Sequence, residues 1–211
     1  MLIKSQHSAR DRVLDAAIEL FATQGFQSIG LRDLASYVGL HAGSLYHHIE
    51  SKQSLLFELI ESALSDLLLD TTRRMKGARS PQKRLLLFIQ AFAAFSCNEK
   101  HRLTLITREF FNLNQEQKQQ ILQLKDRYSS ALCTIIRDVG GAEGKHSAAP
   151  CPTTNALIVL LFGQSQWYGT ETTEVRLTET LTALASSIIA SSRKTEVTTM
   201  LHAGLPCSRA R

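Results

Sequence analysis

The chain has 211 residues, 44% of them apolar, with eleven glycines and four prolines, which suits one large domain or two small ones and argues against a disordered or collagen-like chain. Its net charge of +5 fits an acidic partner, but residues 1–60 hold five bases (Lys4, Arg10, Arg12, Arg32, Lys52) against six acids (Asp11, Asp15, Glu19, Asp33, Glu50, Glu58). The excess sits in Arg73, Arg74, Lys76, Arg79, Lys83 and Arg84, with no acid between Asp70 and Glu99, so charge alone does not locate a nucleic-acid interface. No run of about eighteen apolar residues is present, so no membrane span is expected. The first residues, MLIKSQHSAR, lack the apolar stretch of a signal peptide, and a cytoplasmic location is the expectation. Cys97, Cys133, Cys151 and Cys207 are widely spaced without a C-x-x-C unit. Reduced thiols are expected, with no zinc or disulfide framework and no cofactor, and Cys207 is expected to be exposed.

The apolar spacing is helical throughout. Ser8 with Asp11 three residues later is a capping signal for a first helix, whose face is Val13, Ala17, Leu20 and Phe21 and whose stop is Gly25. A short second helix is predicted from Leu31 to Val38, ended by Gly39, and a third from Ala42 to about His48. Ser51 caps a long fourth helix carrying Leu55, Leu56, Leu59, Ile60, Ala63, Leu64, Leu67 and Leu68 and running out near Lys76. Pro81 suits the first turn of a fifth helix with Leu85, Phe88, Ile89, Phe92, Ala93 and Phe95 on its face. A shorter helix is expected around Arg102 to Asn112. Asn114 and Gln117 form a capping pair for a long helix to Val139, stopped by Gly140 and Gly141, and a polar loop follows to Cys151. An eighth helix, about Thr153 to Tyr168, is apolar almost all round and must be covered by a core or by another chain. The ninth, about Glu174 to Ser191, carries Leu177, Leu181, Leu184 and Ile188 as a narrow pairing seam.

The expected fold is therefore all-α, with about nine helices. Residues 7–67 form a three-helix head, 68–192 a larger helical body, and 193–211 a flexible tail. In the head, two short helices joined at Gly39, backed by Ala35, Val38, Leu40 and Leu45, make a helix-turn-helix over about 30–49. Such a unit places the early residues of its second helix at base edges.

Over about residues 7–67 the chain also resembles the N-terminal domain of the TetR family. The resemblance rests on Val13-Leu14, Ala16-Ala17, Leu20-Phe21, Gly25-Phe26, Leu34-Ala35, Val38-Gly39-Leu40, Gly43, Leu45-Tyr46, His48, Ser51-Lys52 and Leu55-Leu56. It implies a homodimeric transcriptional regulator, most often a repressor released from a palindromic operator on double-stranded DNA by a small ligand. It further implies that Tyr46, His48 and Lys52 hold phosphates and that His41, Ala42, Ser44 and His47 read bases, with Arg32 reaching phosphate or guanine. Three positions depart from the family's usual pattern: Gly30 stands where Thr or Ser caps the second helix, His41 where Ser or Thr caps the third, and Ile49 where Phe is usual. A family ligand cavity would be apolar or amphipathic, with Phe92, Arg108, Glu109, Asn112 and Gln164 as candidates to line it. The pattern around Arg108-Glu109 and the helix after Asn114 is similar to acyl-CoA-responsive members. Leu160, Trp167, Leu181, Leu184 and Ile188 are the expected dimer contacts.

Plainer readings stand beside these. His41, His47 and His48 lack the spacing and the further ligand of a metal site, and no metal is expected. The basic run Arg73 to Arg84 reads as a solvated helix end. No G-x-S-x-G, H-E-x-x-H or phosphate-cradling loop is present, so no catalytic residue is expected and the chain is not read as an enzyme. An all-helical enzyme with a docking head and a DNA-binding protein without a ligand are the alternatives; turnover of a small molecule marks the first and a filled core the second.

Overall fold

The computed structural model describes residues 8–140, 151–167 and 172–203, and all their side chains except those of 42, 140, 164–167 and 193–203. The chain forms two compact units that no single cut separates: residues 1–71 with 94–128, and residues 72–93 with 129–211. Nine α-helices and no strand occur among the described residues.

The first unit is built from α1 (Ala9–Gln24), α2 (Leu31–Tyr37), α3 (Ala42–Leu45), most of α4 (Lys52–Met75), the end of α5 (Pro81–Asn98), α6 (Lys100–Thr104) and the first half of α7 (Gln115–Gly140). Ser8 caps α1: its hydroxyl accepts the Asp11 N–H at 3.1 Å, and the Asp11 carboxylate accepts the Ser8 N–H at 3.0 Å. Gly25, at φ +89°, ends the helix. Val13, Ala17 and Phe21 are fully buried and meet Leu34 of α2, Leu45, and Leu56 and Ile60 of α4 in one core, with Phe26 edge-on to Phe21 at 5.2 Å.

The turn after α2 explains why this sequence makes a tight helix pair. Gly39 sits at φ +69°, its N–H bonds the Ser36 carbonyl at 3.1 Å, and the Leu40 N–H bonds the Ala35 carbonyl at 2.9 Å. Both bonds are those of a glycine-terminated helix in which the left-handed residue reverses the chain and satisfies the last carbonyls. The third helix is shorter than expected. After Leu45 the bonds tighten to an i to i+3 spacing, with the His47 N–H on the Ser44 carbonyl and the His48 N–H on the Leu45 carbonyl. Gly43 and an uncapped start at His41 give so short a segment little helical strength of its own. Leu45 at 0% exposure and Ile49 at 6% pin it to the core instead.

The segment read as one helix to Asn112 also differs. It begins at Lys100, widens to a π-turn over Leu105–Glu109, tightens to a 3-10 turn over Phe110–Asn112, and ends at Leu113. The Asn114 and Gln117 pair then starts α7, with the Gln117 N–H on the Asn114 side chain at 2.9 Å and the return bond at 3.2 Å.

The second unit packs Phe88, Ile89 and Phe92 of α5, Leu132 and Ile135 of α7, Leu157 and Leu161 of α8 (Pro152–Trp167), and Leu177, Leu181, Ala185 and Ile189 of α9 (Glu174–Ala203). Phe92 meets Phe162 edge-on at 5.1 Å, and Arg84 pairs with Asp138. The last helix does not stop at Ser191 but continues to Ala203, because nothing between Ser192 and Gly204 breaks a helix. Cys207 lies outside the described residues.

Candidate nucleic-acid interface

The side chains offered for DNA fall into two groups around α3. Arg32, His41, Tyr46 and His47 are exposed, Tyr46 by 60%. None of these four side chains has a hydrogen bond or ion pair among the described residues, so each is open to an outside partner. Ser44 and His48 are half-buried. The Ala42 side chain lies outside the described residues.

Lys52 is placed differently from a side chain simply extended toward phosphate. Its Nζ stands 4.1 Å from the centre of the Phe26 ring and 6.0 Å from that of Phe21. Burial lowers its pKa, while the Asp33 and Glu109 carboxylates oppose that shift. The ammonium is thus steadied at the first position of α4 by an aromatic face and two nearby negative charges.

At Gly30, Asp33 supplies half of a capping box: its carboxylate accepts the Gly30 N–H at 2.8 Å, while glycine has no side chain to cap the Asp33 N–H. A Cβ at this position would stand 3.0 Å from the Asp33 oxygen, so a larger residue needs that carboxylate to shift. The acids that outnumber bases in the head are largely committed. Asp11 and Asp33 cap helix starts, where the macrodipole offsets their charge; Glu58 pairs with Arg10; and Glu19 accepts the Tyr37 hydroxyl at 3.0 Å. Sequence reasoning missed Tyr37, 55% exposed on α2 and oriented by that bond, whose pKa Glu19 raises. The signal was present: an aromatic residue off the apolar stripe of a short amphipathic helix.

Three residues expected around a ligand cavity lie against the head. The Arg108 Nη2 donates to the Ala22 carbonyl at 2.8 Å and its Nε to Glu109 at 3.2 Å. Glu109, 4% exposed, accepts the Asn112 amide at 2.7 Å. The Asn112 side-chain oxygen accepts from Gln27 at 2.8 Å, and its backbone carbonyl accepts from Gln53 at 2.9 Å. The reason is the π-turn, which shifts the helical register, with Arg108 reaching the end of α1 and Glu109 bonded within its own turn. Together these bonds form a polar clamp fixing residues 108–112 to the end of α1, the loop after it and the start of α4.

Phe92 is fully buried in the second unit, and the Gln164 side chain lies outside the described residues. Each unit has an open groove among its described residues. The first unit's, about 440 Å³, lies among Asp15, Ile18 and the turn from Cys97 to Arg102. The second unit's, about 500 Å³, lies between α5 and α9, beside Leu86, Gln90, Thr178 and Thr182. Neither is lined by the five expected ligand residues. Of the expected dimer contacts, Leu181 is buried inside its own unit at 2% exposure, so it cannot lie in an open seam. Leu184 is 43% exposed, Leu160 and Ile188 are half-buried, and the Trp167 side chain lies outside the described residues.

A short α3 presented by a Gly39 turn on a three-helix core defines the helix-turn-helix class. Residues 13–59 match the family described as bacterial regulatory proteins, tetR family, and residues 78–185, more than half the chain, match a tetracyclin repressor-like C-terminal domain. The chain belongs to the TetR family of bacterial regulatory proteins. It is similar to the transcriptional repressor KstR2 of Rhodococcus jostii, 43% identical over 58 residues, a match covering 28% of this chain and 28% of that relative. Its fold is that of a TetR-family regulator from Bordetella parapertussis, with a TM-score of 0.78 at 17% identity over 84% of this chain and 94% of the other. It is also that of AibR in complex with isovaleryl coenzyme A and operator DNA, with a TM-score of 0.73 at 16% identity over 84% and 97%. Among the described residues no helix is long and apolar enough to cross a membrane.

Proposed function

We propose that this protein is a cytoplasmic DNA-binding repressor that works as a homodimer and leaves its operator when a small ligand binds. Residues 7–67 form the DNA-binding head and the residues from 68 onward the ligand-binding and dimerisation body. The observation that carries the reading is the row of exposed donors at α3 (His41, Tyr46 and His47), without a partner among the described residues and seated on fully buried Leu45. Donors that bond nothing among the described residues, on a buried support, suit a surface that must match fixed phosphates and base edges. Tyr46, His48 and Lys52 hold phosphate; His41, Ala42, Ser44 and His47 face bases; Arg32 reaches either.

Tyr46→Phe and Lys52→Ala are expected to weaken specific and random duplexes alike. Each costs about tenfold, the weight of one hydrogen bond to a charged group. Lys52→Ala should also reduce the salt slope by about one. His47→Ala is expected to change which sequence is preferred. Titration of labelled duplexes from the region upstream of the gene, at two salt concentrations, checks both. Unchanged operator affinity in Lys52→Ala at physiological salt defeats the phosphate assignment.

For the dimer, the favoured surface is the outer face of α8. Ala156 and Val159 are exposed, the latter by 70%, and Leu160 and Gly163 are half-buried. A Cβ at Gly163 would meet nothing within 4 Å. The steps of three and four put these residues on one stripe, and its small members let a second helix approach closely. Leu184 and Ile188 of α9 extend this surface. Val159→Arg is expected to give a monomer in sedimentation with helicity intact, and to lower operator affinity about a hundredfold by loss of bivalency. A Val159→Arg protein that still sediments as a dimer removes this face from the reading.

The ligand class best supported is an acyl-CoA-like amphiphile, because AibR, of the same fold, is seen with isovaleryl coenzyme A and operator DNA. By linkage, ligand and DNA must weaken each other by the same factor. Thermal-shift screening of short and long acyl-CoA thioesters, followed by operator release, tests this. Stabilisation without release leaves the protein a binder and not a ligand-released repressor.

A further inference from the structure

The open groove of the second unit, about 500 Å³, is large enough for a small molecule and belongs to none of the surfaces assigned above. Its α9 wall carries Glu174, Thr178 and Thr182 as a ridge at steps of four, flanked by Val175 and Glu179, and Leu86 of α5 lines the other side. At about 100° of helix per residue, Thr182 stands roughly opposite Leu184 on α9, so a dimer formed through Leu184 and Ile188 leaves the groove open.

Two hydroxyls on this ridge differ from those of other helical threonines. Thr71, Thr104, Thr107 and Thr134 each turn the hydroxyl back onto the carbonyl four residues earlier, at 2.7 Å for Thr71 and 3.0 Å for the rest. Thr182 does not: its hydroxyl oxygen is buried and has no hydrogen-bond partner among the described residues. Thr178, 7% exposed, likewise has no side-chain partner among them. A buried hydroxyl without a partner is costly and rare, and one that lines a groove is placed to meet a polar atom of a ligand. The charges beside these hydroxyls have one sign. Glu174 is half-buried, Glu179 is exposed, neither has an ion-pair partner among the described residues, and no Lys, Arg or His lines the groove.

We propose that this groove binds a small alkylammonium ion, its ammonium among the Glu174 and Glu179 carboxylates and the Thr178 and Thr182 hydroxyls, its methylenes along Leu86 and Val175. An ammonium has three N–H donors and no acceptor, and the two carboxylates and two hydroxyl oxygens are acceptors for it. Val175, 67% exposed, and half-buried Leu86 offer the apolar surface that a short alkyl chain covers. An alcohol with the same chain gains the apolar contact without the charge-assisted bonds, and a fatty carboxylate is repelled by both glutamates. The site lies within the second unit, so it stands apart from how the head meets DNA and from the acyl-CoA reading.

The test titrates the full chain with octylammonium, octanol and octanoate, three probes with one chain and different heads, followed by calorimetry and thermal shift. Octylammonium is expected to bind at least about tenfold more tightly than either of the others, the weight of one hydrogen bond to a charged group. Glu174→Gln and Glu179→Gln should each weaken it by about fivefold to tenfold while melting like the parent. Thr182→Val removes the buried hydroxyl at nearly constant shape. It should raise the melting point of the free protein, because the unmet hydroxyl is gone, and weaken octylammonium about fivefold. Circular dichroism melting shows that each variant is folded. Octanol or octanoate binding as tightly as octylammonium overturns the proposal. So does octylammonium that fails to bind at about 1 mM, or a pair of glutamine variants that bind it like the parent.

Discussion

Leu45→Ala should remove DNA binding by loosening the reading helix from its support, without touching any group that meets DNA. Leu45 is the fully buried side chain of a four-residue helix, and Ile49, just beyond it, is the next anchor. So short a helix has no independent stability; its geometry is set by what it buries. Truncating Leu to Ala in a close-packed site costs about 2–5 kcal/mol, a large share of a domain's typical stability of about 5–15 kcal/mol. The expected outcome is a melting point lowered by many degrees and operator affinity reduced by about thirtyfold or more, the fold-change that free energy implies. Tyr46→Phe is the control: its hydroxyl is exposed, so melting stays unchanged while affinity falls. A Leu45→Ala protein that melts and binds like the parent would mean α3 is not held by this contact.

The second large effect lies in the clamp. Glu109 is a buried carboxylate that accepts from Arg108 Nε and Asn112 Nδ2, both of its own turn, and its charge also acts on Lys52. Glu109→Ala leaves the Asn112 amide and the Arg108 Nε without that acceptor. The expected loss is about 2 kcal/mol, below the range for a fully buried pair because the Arg108 side chain is 52% exposed. Asn112→Ala removes the same bond from the other side and also frees Gln27. The two changes share a network, so the double variant should destabilise by less than the sum, with a coupling of about 0.5–3 kcal/mol. Urea unfolding of the four proteins measures it. Additive losses would show that Glu109 and Asn112 act separately and that the clamp is not one unit.

Much of the first unit could be read before any coordinates, because local rules decide it. Ser8 with Asp11, Asn114 with Gln117, and Gly39 after a short amphipathic helix are short-range signals, and each makes the bonds its residue types imply. What the residues alone did not show was register and partner. A π-turn leaves no mark in apolar periodicity, so Arg108, Glu109 and Asn112 were assigned to a cavity when their bonds run to Ala22, Gln27 and their own turn. Lys52 resembled a free helix-start cation, since nothing local reveals that Phe26 folds back beneath it. Leu181 and Leu184 share one seam in the sequence, yet one is buried and the other 43% exposed, a difference that tertiary packing around α9 creates and the spacing does not show. The end of α9 was missed for the opposite reason: the apolar stripe fades after Ile189, but fading hydrophobicity does not break a helix.

The central claim is that α3 reads a particular DNA sequence. Fluorescence anisotropy of the full-length chain against duplexes tiling its own upstream region, with random duplex as competitor, tests it most directly. One tile should bind with a dissociation constant of about 10⁻⁸ M or tighter and at least about a thousandfold in preference to random duplex. Its protected region should hold two half-sites about one helical turn apart. Equal affinity for every tile and for random DNA, or no binding at physiological salt, would contradict the account.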